Sequence, residues 1–254
     1  MVVTVISSLK PPVEASASPP VYWPSALSGG NYAKLFSQET GFTGYLLNSL
    51  VVSLVTVVLT VVVSVLAGYG FARFRFPARG ALFGLILAVL MIPYPTLLIP
   101  LYVILTKIGL GGNTVGVGLV LTMFQLPFGI YMMRNSFESV PRGVEEAATM
   151  DGATVLATLR HVLLPIVRPG IVTVGLYAFV NSWNEFLAPL IFLTDSSSYT
   201  LPIALLYVQQ GQLGTIDYGA LQAGVTTTML PCVLIFLLLQ RYYVSGLIAG
   251  AVKS

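Results

Sequence analysis

From residue 45 onward the chain alternates long apolar runs with short polar connections. The runs cover residues 45–71, 81–105, 114–133, 170–193 and 219–239. A helix rising 1.5 Å per residue needs about 20 residues to cross a hydrocarbon layer about 30 Å thick, and each run meets that length. Inside the runs the single charged residue is Glu185. The pattern therefore predicts an all-α polytopic membrane protein with five spans. Residues 1–9 are also apolar but too short to cross, and they lack a basic start and a small-residue cleavage pattern. They are expected to be the outer end of a sixth, N-terminal helix whose beginning is missing from this chain.

The polar connections set the predicted orientation. Connections after the first, third and fifth runs hold Arg73, Arg75, Arg79, Arg134, Arg142, Arg160, Arg168, Arg241 and Lys253, whereas the other side holds Lys34 and Lys107, with Lys10 ambiguous. Lys and Arg resist translocation, so the Arg-rich side is expected to be cytoplasmic, with the C-terminus there. On that basis residues 10–44, rich in Pro, Ser and Gly, form an external irregular segment. Residues 31–37 within it suit a short interfacial helix with Tyr32 and Phe36 on one face. Residues 45–240 form the transmembrane helical domain, including a cytoplasmic loop at 134–168, and residues 241–254 a cytoplasmic tail. Pro93, Pro95 and Pro100 in the second run each remove a backbone donor and kink the helix. Such a kink either lines a cavity or has no further role. Gly68 and Gly70, and Gly116 and Gly118, suit close helix packing.

Composition narrows the chemistry. The chain is 56% hydrophobic and 8% charged, with a mean hydropathy of +0.88. One His and one Cys, Cys232, leave no multi-histidine metal cage and no internal disulfide. None of Lys10, Lys34, Lys107 and Lys253 follows a glycine, so no phosphate-binding Gly-Lys-Ser/Thr loop exists. Any nucleotide-driven work belongs to another chain. The net charge of +3 is scattered and supplies no nucleic-acid-binding stripe.

Residues 134–168 are the one substantial polar stretch between runs on the Arg-rich side. Pro141 suits a helix start, Glu145 and Glu146 suit the positive end of its dipole, and Ala147 and Ala148 give a smooth patch. Asp151-Gly152 should stop the helix, glycine being free to take positive φ. A second helix is expected from Ala153 to Leu164, ending at Pro165. The result is a protruding elbow with acids at its tip, suited to a protein groove better than to anionic lipid.

The string Glu146-Ala147-Ala148-x-x-Asp151-Gly152-Ala153, with Leu164-Pro165 and Pro169 after it, resembles the EAA signature of permease subunits of binding-protein-dependent ABC importers. Trp183-Asn184-Glu185-Phe186-x-x-Pro189-Leu190, and the terminal stretch from Gln240 to Lys253, resemble carbohydrate-importer permeases of the maltose-G-like type. The resemblance covers residues 40–254. It implies a type I ABC importer transmembrane domain in a prokaryotic inner membrane, and no enzyme activity in this chain. It implies as partners a second permease, two ATPase subunits that bind ATP and Mg, an external solute-binding protein and a sugar, with no cofactor held by this chain itself. Glu145, Glu146, Ala147, Ala148, Asp151, Gly152 and Ala153 would couple to the ATPase, and Gly246, Gly250 and Lys253 would give a tail contact to it. The polar loop 194–218, with Gln209, Gln210, Gln212 and Asp217, would face the binding protein.

Asn181, Asn184 and Glu185 fall at helical offsets that share one face, beside Trp183 and Tyr177. Two readings stay open: contact with sugar along the path, or hydrogen bonding to the partner permease. His161 reads as a surface residue and Cys232 as a small hydrophobe. An ion-coupled carrier would need more intramembrane ionisable groups than Glu185. An intramembrane hydrolase lacks paired aspartates or a metal motif. Within the importer class, glycerol-phosphate-type cargo is the rival to neutral sugar.

Overall fold

The computed structural model describes residues 1–17, 23–37, 42–210 and 216–251, the last stretch as backbone alone from residue 241. Every regular element among the described residues is helical. Short helices α1 (Val2–Ser8), α2 (Pro12–Ala15) and α3 (Gly30–Phe36) precede the long α4 (Phe42–Arg73). Helix α5 (Arg79–Ala88) continues into a 3-10 turn at Val89–Met91, and α6 (Tyr94–Lys107) and α7 (Thr114–Glu138) follow. Then come α8 (Arg142–Met150), α9 (Val155–Thr158), a π turn (Leu159–Leu163), α10 (Leu164–Ile166) and α11 (Arg168–Trp183). The last elements are α12 (Leu187–Phe192), α13 (Leu201–Gln210) and α14 (Tyr218–Ala251).

Among the described residues three helices, α4, α7 and the part of α14 up to Gln240, are long and apolar enough to cross a membrane unbroken. They coincide with the first, third and fifth apolar runs. The second run is not one kinked helix. Its two halves, Arg79–Met91 and Tyr94–Lys107, meet at 102°. Pro93 is the cause: it lacks an N–H and forces the preceding residue out of the helical region. Ile92 is accordingly extended, with φ −80° and ψ 125°. The fourth run also breaks, since α11 stops at Trp183 and α12 begins at Leu187. A continuous helix would drive the Pro189 ring into the carbonyl of Glu185, four residues back. Starting at Leu187 instead puts Pro189 in the first turn of α12, where its missing N–H costs little. A second bent pair, Val155–Ile166 with Arg168–Trp183, meets at 77°. Counting each bent pair as one span gives five spans.

The chain packs as two compact units. The first holds Met1–Val52, Pro100–Val117 and Trp183–Ile235. In it, buried Asn31 of α3 donates from Nδ2 to the carbonyls of Ser8 (3.0 Å) and Lys10 (2.8 Å). Tyr32 shares a 2.8 Å hydrogen bond with the Ser8 hydroxyl, and the Phe36 ring meets Phe42 edge-on, so the expected short helix serves to pin α1. Asn48 donates to the carbonyls of Ser197 (2.8 Å) and Tyr199 (3.0 Å), and Ser49 accepts from the N–H of Leu201 at 2.8 Å.

Asp217 caps α14 by accepting the N–H of Ala220 at 3.0 Å, and it pairs with Lys34. Burial alone would raise its carboxyl, but the Ala220 N–H and Lys34 outweigh that and hold it below the ordinary value. A depressed carboxyl contributes stability that is present above its unfolded pKa of about 4 and is lost as pH falls through the folded value. Asp217→Asn keeps a capping oxygen and loses the charge. Its thermal midpoint in detergent should lie slightly below the parent's at pH 7, by less than about 1 kcal/mol of stability for this partly exposed pair. The gap should close as pH drops below about 4. A gap unchanged at low pH would show that the ion pair contributes nothing.

The second unit holds Ser53–Ile99, Gly118–Ser182 and Phe236–Ser254. Within it α4 buries a hydroxyl stripe, Ser53, Thr56, Thr60 and Ser64, and exposes Leu54, Val58, Val62 and Leu66. This inversion of the soluble pattern is what a lipid-facing helix requires, because lipid accepts the hydrocarbon and small hydroxyl residues let helices approach. Gly68 is the closest point: a Cβ there would lie 2.6 Å from the Met133 Cβ and 2.8 Å from the Arg134 backbone nitrogen. Gly70 meets nothing, so of that pair only Gly68 is needed for packing. One core joins Val65, Tyr69 and Ala72 of α4, Met133 and Phe137 of α7 with Val140 just after it, and Leu159, Leu163 and Val167 after α9. Each set falls at intervals of three or four residues, the stripe of one helix face.

Candidate functional site

The elbow forms as its sequence directs. Pro141 sits just before α8 with φ −58° and ψ 138°, and the helix stops after Met150. Gly152 has φ +81°, its N–H reaches the Thr149 carbonyl at 3.0 Å, and the Ala153 N–H reaches the Ala148 carbonyl at 3.0 Å. This paired bonding around a left-handed glycine is the Schellman stop, which satisfies carbonyls that the helix end would leave bare. The next helix starts at Val155, not Ala153, because the Thr154 hydroxyl caps it by accepting the Ala157 N–H at 3.3 Å. Helical structure also continues past Pro165. The N–H of Leu164 bonds to Leu159, five residues back, and Pro165 occupies a first-turn position of α10.

The acidic pair divides. Glu145 turns inward and forms an ion pair with Arg73, whereas Glu146 is exposed. Neighbours on a helix point about 100° apart, so both cannot serve one outer surface. Ala147 is exposed and Ala148 buried, so the small-residue patch splits in the same way. Asp151 and Gly152 are exposed and Ala153 is half-buried. Around them stand Met150, 88% exposed, Leu156, 71% exposed, and Val155, three apolar side chains that the sequence reading passed over. Exposed apolar residues rimmed by acids are the surface chemistry of a docking site. The side of the elbow turned toward the protein, in contrast, is fixed into the core by Leu159 and Leu163.

Arg73 is the other residue the sequence did not single out. Its side chain is buried at the last position of α4, and its Nη2 donates to the Val140 carbonyl at 2.8 Å while the guanidinium pairs with Glu145. A second arginine group lies at the foot of α7: Glu138 accepts from Arg134 Nε at 2.9 Å and pairs with Arg79 at 3.4 Å, and Arg134 lies 4.2 Å over the Phe83 ring.

The structure does not place Asn181, Asn184 and Glu185 on one helix face, because α11 ends at Trp183. Asn181 remains on α11, exposed, donating to the Tyr177 carbonyl at 2.8 Å. Trp183 is buried and its indole N–H donates to the Thr228 carbonyl at 2.9 Å. Asn184 Nδ2 lies 3.8 Å from Cys232 Sγ. Glu185 Oε1 accepts the N–H groups of Leu187 (2.9 Å) and Ala188 (3.1 Å), which starts α12. His161 is exposed. Gly246 and Gly250 fall where only backbone is described, and Lys253 and Gln212 lie outside the described residues.

The described residues thus form a helical membrane domain whose elbow presents acids and apolar side chains outward. Residues 60–248 match the family described as binding-protein-dependent transport system inner membrane component, and the chain belongs to that family. It is 34% identical over 250 residues to the sulfoquinovosyl glycerol transport system permease protein SmoH of Agrobacterium fabrum, covering 98% of this chain and 87% of that one. It is 34% identical over 231 residues to the trehalose transport system permease protein SugB of Mycobacterium tuberculosis, covering 91% and 84%. Among solved structures it resembles a chain of a bacterial ABC transporter that imports the acidic polysaccharide alginate. That match has a TM-score of 0.79 at 20% identity and covers 95% of this chain and 89% of the other. A second match, TM-score 0.65 at 16% identity over 84% and 81% of the two chains, is an alginate transporter in complex with an alginate pentasaccharide-bound periplasmic protein. The fold is that of a type I ABC importer transmembrane domain.

Proposed function

We propose that this chain is a permease subunit of an ATP-driven carbohydrate importer. It lines half of a translocation path with a second permease, receives sugar from an external binding protein, and takes its driving force from two ATPase subunits. Those ATPases, not this chain, bind and hydrolyse ATP with Mg. Helix α8 and the turn after it seat in an ATPase groove through Glu146, Ala147, Met150, Asp151 and Leu156. The C-terminus is cytoplasmic, and the tail with Gly246, Gly250 and Lys253 makes a second ATPase contact.

The observation that carries this reading is the two-sidedness of the elbow: apolar and acidic groups outward, and an inner side joined to the span core. A surface patch on a loop that moved freely would deliver no displacement to the spans. The carbohydrate cargo rests on what the relatives' names say of them, trehalose and sulfoquinovosyl glycerol among them. The orientation rests on nine cations on one side against two or three on the other. Reconstitution tests the proposal. Vesicles holding this chain, its partner permease and the ATPase should take up trehalose or a related glycoside only with ATP and a binding protein. Uptake by this chain alone, without nucleotide, would overturn it.

A further inference from the structure

The joint between α7 and α8 is the weak point of the elbow as a lever. Helix α7 ends at Glu138 and α8 begins at Arg142. Between them the Val140 N–H bonds back to Phe137 at 3.1 Å, and Pro141 has no N–H to carry a bond across. Backbone hydrogen bonding therefore does not tie α8 rigidly to α7. Arg73 spans this gap from a third element. One nitrogen of its guanidinium holds the Val140 carbonyl before the proline, and the group pairs with Glu145, one turn into α8, after it. Its side chain is only 7% exposed, and Tyr69, one turn back on α4, packs edge-on against Phe137 at 5.4 Å. A guanidinium suits this place because its planar fork serves two acceptors at once, which a lysine ammonium on a flexible stem does poorly.

We propose that Arg73 is a positioning residue that braces the Pro141 joint, so that α8 and the cytoplasmic end of α4 move as one body. It touches neither cargo nor nucleotide. Its role is to pass displacement of α8 into the longest span, and it rests on the reading of α8 as the ATPase-docking helix. Without the brace α8 still docks, but it pivots at Pro141 and much of its movement is lost before it reaches the spans. The signature is hydrolysis without transport.

The test is the ratio of cargo moved to ATP hydrolysed by the complete complex in vesicles. Arg73→Ala should lower that ratio about tenfold while copurification with the ATPase persists, the size expected for a residue on a coupling route. Arg73→Lys should fall between the two. Removing Arg73 leaves Glu145 half-buried without its cation, which threatens folding by itself. The double variant Arg73→Ala with Glu145→Gln removes that charge, and it should assemble normally yet keep the low ratio. A parental ratio in the double variant, or its failure to assemble, would overturn the brace and leave Arg73 a structural counter-charge. Glu146→Lys separates this from the docking assignment. If it keeps parental ATPase association and uptake, the docking reading fails. If it dissociates the ATPase while Arg73→Ala keeps the parental ratio, only the brace fails.

Discussion

Gly152→Asp is expected to give a chain that inserts, folds and pairs with its partner permease, yet supports uptake more than about tenfold below the parent. The backbone there has φ +81°, which costs a side-chain-bearing residue about 1 kcal/mol, and aspartate is among the residues that tolerate it. A Cβ would meet nothing within 4 Å, so no clash arises within the chain itself. The new side chain would stand outward from the turn. Its carboxylate would join exposed Glu146 and Asp151 on the docking side. The lost free energy therefore falls on association with the ATPase, where an uncompensated buried charge costs about 2–5 kcal/mol. Membrane yield, copurification and ATP-driven uptake measure the three parts separately. Gly152→Asn carries the same backbone strain without the charge and should lose much less. Equal losses in the two variants would locate the defect in the turn; parental uptake in both would remove α8 from the interface.

The contrast between Gly152 and Arg73 shows how much was legible beforehand. A helix stop is written in adjacent residues, so Asp151-Gly152 declared it, and unbroken spans announced themselves through about 20 apolar residues. Even the break at Pro189 was present, since proline excludes itself from a helix that continues through the residue four before it. Hydrophobicity hid it, because residues on both sides of the break are apolar. The division of Glu145 from Glu146 was available in the same way, from the 100° turn per residue. Arg73 differs in kind. A charge count along a sequence treats an arginine near a span as an address label, and its partners, Val140 and Glu145, stand beyond α5, α6 and α7. The exposure of Met150 and Leu156 is likewise a property of the folded elbow, in which α8 buries Ala148 and packs half-buried Val144 against the core instead.

Glu185→Ala should prevent assembly or reduce it severely, whereas Glu185→Gln should leave uptake within about twofold of the parent. The reason lies in where the backbone donors of the first turn of α12 go. The N–H groups of Leu187 and Ala188 go to Glu185 Oε1, Pro189 has none, and the Leu190 N–H reaches the Phe186 carbonyl at 3.0 Å. Alanine at 185 strands the N–H of buried Ala188, at about 1–3 kcal/mol, and uncaps that of exposed Leu187 as well. Glutamine keeps a carbonyl oxygen at the same reach, and a neutral acceptor retains roughly half the strength of a charged one. The capping role thus requires an oxygen and not a charge. Contact with cargo makes the opposite demand, since a carboxylate that binds a sugar hydroxyl loses strength on becoming an amide. A Gln variant that assembles fully but fails in uptake would return Glu185 to the translocation path, and one that transports normally would fix it as the residue that lets the chain break and restart at Pro189.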